Sequence, residues 1–125
     1  MTVDVRYLVD DVDLAAAFYL SHLGFDETGG WGGAPFRMLA RGDLRLWLSA
    51  PGSSAARPMP DGAQPGPGGW NRFVIEVDEI EGEVSRLRGA GVRFRGGIVS
   101  GPGGEQVVIE DPSGNPVELF QPASA

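Results

Sequence analysis

Histidine and cysteine, two side chains that often catalyse reactions or bind metals, are scarce in this sequence of 125 residues. There is no cysteine, which removes disulfides, thiol nucleophiles and thiolate metal ligands together. The only histidine, His22, falls in the last turn of a predicted helix, where a cation suits the helix dipole. Nucleophilic mechanisms that depend on a histidine base are therefore largely unavailable, and we interpret His22 as structural.

Acidic and aromatic residues offer a second kind of chemistry. Two acid pairs, Asp10-Asp11 and Asp78-Glu79, each precede a predicted helix, and this repetition favours capping over acid–base catalysis. Trp31 and Trp70 lie beside glycine-rich loops. Loop tryptophans pack under a loop or at an interface, or they stack on a planar ligand. Two phenylalanines could extend such an aromatic wall: Phe36 and Phe120.

Composition and charge exclude several classes of function. The net charge is −7, whereas binding to a phosphate backbone needs a basic face, so we expect no nucleic-acid partner. No apolar run approaches the roughly 20 residues of a membrane span. The start, MTVDVRYLV, lacks the basic and then apolar pattern of a signal peptide. We therefore expect a cytoplasmic protein with no membrane partner.

The first fifty residues follow the order strand, helix and three strands. Residues 2–9 alternate between apolar and polar, the period of a strand with one buried face. Asp11 suits the N-cap of a helix predicted over 13–22, and Gly24 ends that helix with a positive φ. One side of the helix carries Leu14, Ala17 and Phe18. Three strands are predicted near 25–28, 35–40 and 43–49.

Residues 70–125 repeat this order. A strand over 70–77 precedes a helix over 79–90, and strands follow near 92–99, 105–110 and 115–120. The helix carries Ile80, Val84 and Leu87 at helical spacing. Between the modules 1–50 and 70–125, residues 51–69 are rich in Pro, Gly and Ser, which predicts a linker loop. The sequence leaves open whether this loop is a lid.

The repeat predicts an architecture. A four-stranded half-sheet with one helix cannot bury both of its faces alone. We therefore predict an α+β fold, a single domain in which two βαβββ modules form one curved eight-stranded mixed sheet. That sheet would surround a cup-shaped cleft, with the helices outside.

Three stretches carry a resemblance to a known family: VDDVDLAAAFYLSHLGF at 9–25, FVIEVDEIEGEVSRLRGAGVRF at 73–94 and EDPSGNPVELFQP at 110–122. Together they resemble the vicinal-oxygen-chelate superfamily of glyoxalases, bleomycin-resistance proteins and extradiol dioxygenases. The ending DPSGNPVEL is the most specific part. The resemblance covers all but the linker, and it implies the paired βαβββ fold and a homodimer. Exposed sheet edges would also invite such pairing.

The resemblance also implies where ligands would bind. In metal-dependent members each module offers two ligands, one on its first strand, often His, and one on its last, often Glu. The matching positions here are Asp4, Trp47, Arg72 and Glu118. Aligning 48–51 with 119–122 places Trp47 opposite Glu118, whereas aligning 42–43 with 114–115 places Leu46 there. We prefer Trp47, because three leucines in period 2 mark the buried face.

These four residue types do not suit a metal. The Trp N–H cannot coordinate and Arg is a permanent cation, so only Asp4 and Glu118 could be ligands. Two carboxylates and water make a poor transition-metal site. Asp4 and Glu118 could instead pair with Arg72 or Arg6.

The preferred function is accordingly a metal-independent small-molecule binder that resembles the bleomycin-resistance proteins and confers antibiotic resistance by sequestration. An aromatic antibiotic or metabolite would be held by Asp4, Arg6, Trp47, Trp70, Arg72, Glu118 and Phe120, with no cofactor and no catalytic residue. Whether the protein is an enzyme stays open. The first alternative is a glyoxalase- or dioxygenase-type enzyme (lyase, isomerase, epimerase or dioxygenase) with a divalent metal at Glu118 and Asp4. The second is a regulatory or structural partner protein with a filled cup.

Overall fold

The computed structural model describes residues 2–30 and 33–124, so the predicted role of Trp31 lies outside the described residues. The chain divides into two compact units, Met1–Gly68 and Gly69–Ala125, called unit 1 and unit 2 below. No helix in the described ranges is long and apolar enough to cross a membrane.

Unit 1 has the predicted order of elements. Its elements are β1 (Val5–Leu8), α1 (Val12–His22), β2 (Asp26–Gly30), β3 (Phe36–Arg41) and β4 (Leu44–Ser49). The four strands form a mixed sheet in the order β1-β4-β3-β2, in which β1 is parallel to β4 and the other pairs are antiparallel. The linker that follows contains a short 3₁₀ helix, Ser54–Ala56.

The core of unit 1 lies between α1 and one face of the sheet. Leu39, Leu46 and Leu48 are fully buried on that face. Helix α1 packs on β3 and β4 through Ala15, Ala16, Phe18 and Tyr19, all buried. Small residues at 15 and 16 allow the helix backbone to approach the sheet closely. Leu14 and Ala17 are predicted on the same side of the helix as Phe18, but the structure does not bury them. Leu14 is 61% exposed and Ala17 is exposed.

Unit 2 repeats unit 1 with one extra strand. Its elements are β5 (Val74–Glu76), α2 (Ile80–Gly89), β6 (Arg93–Phe94), β7 (Val99–Gly101), β8 (Gly104–Glu110) and β9 (Pro116–Pro122). The sheet order is β5-β9-β8-β6, with β7 also paired to β8, and β5 is parallel to β9. The strand predicted over 92–99 is therefore two short strands. Gly96-Gly97 lies between them, and two consecutive glycines weaken a strand.

The α+β class and the repeated module are confirmed, but the single eight-stranded sheet is not. Within the described residues the nine strands form two sheets, of four and five strands. In this part of the chain, β1 and β5 are edge strands of separate sheets, and no ladder of hydrogen bonds joins the two sheets. Of the helix residues predicted at one spacing, Ile80 and Leu87 are buried and Val84 is half-buried. The sheet adds five buried core residues: Ile75, Val107, Ile109, Val117 and Leu119.

The motif DPSGNP forms a tight turn before β9. The carboxylate of Asp111 is 1% exposed and accepts hydrogen bonds from Ser113 N, Asn115 N and Asn115 Nδ2, at 2.9 to 3.0 Å. The backbone N–H of Asp111 donates to the Asn115 carbonyl. A buried carboxylate with three donors is satisfied, and this turn sets where β9 begins.

Candidate functional site

The strand registers of the two units fix which residues are equivalent. In unit 1, Leu39 pairs with Leu46, and in unit 2, Ile109 pairs with Val117; all four are buried core positions. In the parallel pairs, Tyr7 lies beside Leu48 and Ile75 beside Leu119. These registers make Trp47 equivalent to Glu118, and Asp4 equivalent to Arg72. The same equivalence follows from aligning 48–51 with 119–122 in the sequence.

Each unit joins its first and last strands by a carboxylate–guanidinium pair. In unit 2, Arg72 precedes β5 and Glu118 lies on β9; Arg72 Nε and Nη2 donate to Glu118 Oε1 at 2.9 and 2.8 Å. In unit 1, Asp4 precedes β1 and Arg45 lies on β4; Arg45 Nε and Nη2 donate to the two Asp4 oxygens at 2.5 and 3.2 Å. The acid and the base have exchanged strands between the two units.

The pairing of Glu118 with Arg72 confirms one sequence-based alternative, whereas the pairing of Asp4 with Arg6 is wrong. Asp4 pairs with Arg45 instead, because the register of β1 and β4 continues to place Arg45 opposite Asp4, while Arg6 lies opposite Trp47. The hydrogen bonds from Arg45 hold the pKa of the Asp4 carboxyl below its usual value.

The donor set does not fit a divalent metal. Glu118 is 8% exposed, and one of its oxygens already accepts two N–H groups of a permanent cation, which would repel Mg²⁺ or Zn²⁺. Asp4 is likewise engaged by Arg45. In residues 2–30 and 33–124, no three His, Cys, Asp or Glu side chains cluster as metal ligands would. His22 lies at the end of α1, with its ring edge-on to Phe18 at 5.7 Å between centroids.

Unit 1 contains a cavity of about 350 Å³. It opens beside the start of β3 and the end of β4. Its walls are formed by Arg6, Pro35, Phe36, Ser49, Gly52, Ser53, Ser54 and Ala55. Two hydrogen bonds fix the start of the linker beside β3: Ala50 N, just before the linker, donates to the Pro35 carbonyl at 2.8 Å, and Ser53 Oγ donates to the Ala50 carbonyl at 2.7 Å. The linker thus supplies a wall that its Pro/Gly/Ser composition does not predict.

Aromatic and cationic groups line one side of this cavity. The Arg6 guanidinium lies over the Trp47 ring, 5.0 Å from its centroid, and the two residues are cross-strand neighbours. Phe36 packs edge-on against Trp47 at 5.9 Å between centroids. Trp47 therefore supports two lining residues, Arg6 and Phe36, rather than being a wall itself. The period-2 leucines predict this face correctly, since Leu46 and Leu48 are buried on the other.

A size difference distinguishes the equivalent positions of the two units at this cavity. Phe36 pairs with Ser49 in unit 1, and Gln106 pairs with Phe120 in unit 2. The registers make Ser49 equivalent to Phe120. A serine leaves room where a phenylalanine ring would fill it. Phe120 is half-buried on its own sheet, and its predicted contact with a ligand stays a prediction.

Unit 2 presents an exposed tryptophan held in place by two arginines. Trp70 is 68% exposed, and the Arg95 guanidinium lies 4.5 Å from its ring centroid. Arg95 also donates to Glu110 Oε2 and to the carbonyls of Gly69 and Gly114, at 2.9, 2.5 and 2.7 Å. Arg72 Nη1 donates to the Trp70 carbonyl at 3.2 Å. The predicted site lacks Arg95, because two of its partners are backbone carbonyls, which no residue pattern marks.

Comparison with known proteins agrees with this fold and repeat. The family model of the Glyoxalase/Bleomycin resistance protein/Dioxygenase superfamily matches residues 3–119. The chain belongs to this superfamily, and the resemblance described from its three motifs is thereby confirmed. A search of curated proteins gives no match.

Solved structures extend the comparison. Lactoylglutathione lyase from Agrobacterium tumefaciens is 24% identical, with a TM-score of 0.75 over 97% of this chain and 92% of that one. TnmS3, an antibiotic binding protein from Streptomyces sp. CB03234, is 25% identical, with a TM-score of 0.70 over 98% of each chain. The fosfomycin resistance protein FosX from Listeria monocytogenes is 12% identical, with a TM-score of 0.73 over 98% of this chain and 93% of that one.

Proposed function

We propose that this protein binds a small aromatic molecule without a metal and confers resistance by sequestering it. The observation that carries the proposal is the unit 1 cavity, about 350 Å³, with Phe36 and Arg6 in its wall and Trp47 behind them. Small-molecule pockets typically span about 300–1,000 Å³ and combine apolar walls with a few polar groups. The likeness to TnmS3, described as an antibiotic binding protein, supports the same function.

The binding mechanism is burial without bond making. A planar ring packed against Phe36 would remove apolar surface from water, worth about 25 cal/mol per Å². Trp47 keeps Phe36 in place through its edge-on contact. In unit 2, exposed Trp70 offers a second aromatic face, supported by Arg72 and Arg95. The charges of Asp4, Arg72 and Glu118 are satisfied by neighbouring side chains, so these residues hold the strands of each unit in position.

Tryptophan fluorescence tests this function. Titration with aromatic antibiotics is expected to quench emission, with the response retained in Trp70→Phe and lost in Trp47→Phe. A Phe36→Ala variant should bind at least tenfold more weakly, because loss of an aromatic wall costs about 1.5 kcal/mol or more. Phe94→Ala, which removes a ring that Arg88 covers in unit 2, is the control. A broad panel that changes neither emission nor heat in calorimetry would contradict the proposal.

The enzyme alternative predicts a different result. Protein purified without chelator would carry stoichiometric divalent metal, and Glu118→Ala would remove it. The proposed binder carries none in either form, so elemental analysis of the two proteins separates the functions. We also propose a cytoplasmic homodimer; light scattering during gel filtration measures the mass of the assembly.

A further inference from the structure

Arg6 is a cation without an acidic partner at the wall of a cavity. The sequence holds ten basic residues, all of them arginine. Six form ion pairs within the described ranges: Arg37, Arg45, Arg72, Arg86, Arg93 and Arg95. Arg6 is among the other four, and of these it alone lines the unit 1 cavity.

Arg6 is exposed, and no acidic side chain in the described part of the chain pairs with it. None of the residues that line the cavity is acidic. Asp4 lies two residues away on the same side of β1, but its oxygens accept from Arg45 at 2.5 and 3.2 Å. The local charge of the cavity is therefore positive, although the chain as a whole carries −7. Repulsion from distant acids is screened beyond about 8 Å at physiological ionic strength.

The contact between Arg6 and Trp47 leaves the N–H groups of Arg6 available for an acceptor. A guanidinium has five N–H donors in one plane, and the plane's face can rest on an aromatic ring while the edge donates. Arg6 lies over Trp47 at 5.0 Å. Within residues 2–30 and 33–124 no acceptor takes its N–H groups. Such an edge matches the two oxygens of a carboxylate.

We propose that the cavity selects an aromatic ligand that carries an acidic group, with Arg6 as the residue that binds this group. The inference rests on the proposed function and adds the chemical class of the ligand. The ring packs against Phe36, and two acidic oxygens accept from the Arg6 guanidinium. Because Arg6 is exposed in the free protein, we expect a preference of roughly fivefold for the acidic ligand over a neutral analogue.

A matched pair of probes tests the selectivity. Naphthalene-2-carboxylate and naphthalene-2-carboxamide share size and shape and differ in charge. In calorimetry at pH 7, the wild type is expected to bind the carboxylate roughly fivefold more tightly than the amide. Arg6→Met should abolish this preference while it retains affinity for the amide, and Arg6→Gln serves as a second variant. Arg41→Met is the control, because Arg41 is exposed and outside the cavity.

The outcomes separate this inference from the proposed function. Equal affinity for both probes in the wild type, or an unchanged preference in both Arg6 variants, would overturn the role of Arg6 and leave aromatic binding intact. Binding of neither probe would also overturn the acidic-ligand inference, and the antibiotic panel would then decide the function separately. Loss of the preference in Arg41→Met as well would show a general charge effect and would likewise overturn the inference.

Discussion

Arg72 and Glu118 form a salt bridge at 2.8 Å between the segment before β5 and strand β9. Their side chains are 25% and 10% exposed, so the pair is largely removed from water. The equivalent positions in unit 1 hold Asp4 and Trp47, and there the carboxylate turns to Arg45 instead. In both units, therefore, an ion pair links the segment before the first strand to the last strand.

Breaking the Arg72–Glu118 pair from one side should be costly. Glu118→Ala leaves a largely buried guanidinium without its acid, and we expect a loss of about 3 kcal/mol in the free energy of unfolding. The double variant Arg72→Met, Glu118→Met should lose less than Arg72→Met or Glu118→Met alone, because no charge is left uncompensated. Urea unfolding of the three proteins measures this coupling. Single losses that simply add in the double variant would contradict it.

Arg95 should matter more than its exposed neighbour on β6. Arg95→Met removes three hydrogen bonds and the contact with Trp70, and we expect a loss of about 2 kcal/mol together with a change in tryptophan emission. Arg93→Met is the matched control: Arg93 is 64% exposed and 3.9 Å from Glu110, so its loss should stay within about 0.5 kcal/mol. Similar losses for both variants would refute the role given to Arg95.

The free energy of unfolding should fall in acid, because two carboxyl groups have lowered pKa values in the folded protein. Hydrogen bonds from Arg45 and Arg37 hold the pKa of Asp4 and of Glu27 below their ordinary values of 3.8 and 4.5. A carboxyl with a lowered folded-state pKa stabilises the fold above its unfolded pKa, and this contribution is lost as pH falls through the folded pKa.

Glu27→Gln isolates one part of that pH dependence. The difference in unfolding free energy between wild type and Glu27→Gln should be constant from pH 7 to about pH 5.5. It should shrink as pH falls through 4.5, the ordinary value of Glu27. Asp43→Asn, at an exposed position in the turn before β4, is the control for removing one carboxylate from the surface. An unchanged difference at pH 3 would exclude Glu27 as a source of acid sensitivity.

The two helices should respond differently to loss of their N-cap side chains. Asp11 accepts from Asp13 N and Leu14 N at 2.9 and 3.0 Å, so Asp11→Ala should cost about 1 kcal/mol. Glu79 holds the corresponding position of α2 but makes no side-chain cap bond, so Glu79→Ala should change stability little. Gln121 Oε1 accepts from Ile80 N at 2.8 Å, so Gln121→Ala should cost about 1 kcal/mol.

Hydrogen exchange checks the same cap locally. Gln121→Ala should raise amide exchange in the first turn of α2, whereas Glu79→Ala should leave it unchanged. Faster exchange in Glu79→Ala than in Gln121→Ala would reverse the assignment of the cap.

The sequence predicts the fold well where period and spacing carry the information. Leu46, Leu48, Val117 and Leu119 mark the buried faces by period 2, and this places Glu118 and Trp47 correctly on the opposite faces. Asp11 is predicted as a cap because its partners are two and three residues away. Local patterns of this kind depend on geometry that every strand or helix shares.

The sequence predicts less well where partners are distant or belong to the backbone. Asp4 and Arg45 are 41 positions apart, and only the strand order brings them together. Repetition suggested that Asp78-Glu79 would cap α2 as Asp10-Asp11 does α1, yet the cap comes from strand β9. The cavity is missed for a similar reason, since its linker wall depends on the bond between Ala50 N and the Pro35 carbonyl.

The N-caps of the two helices become available at different times during synthesis, because they come from different parts of the chain. Asp11 is made just before the helix that it caps, so α1 has its N-cap as soon as its own residues emerge from the ribosome. Gln121 is made 41 residues after Ile80, so α2 emerges without the side chain that will accept from its first turn. Because domains fold as the chain is made, from the N-terminal end, unit 1 can mature early while α2 waits for β9.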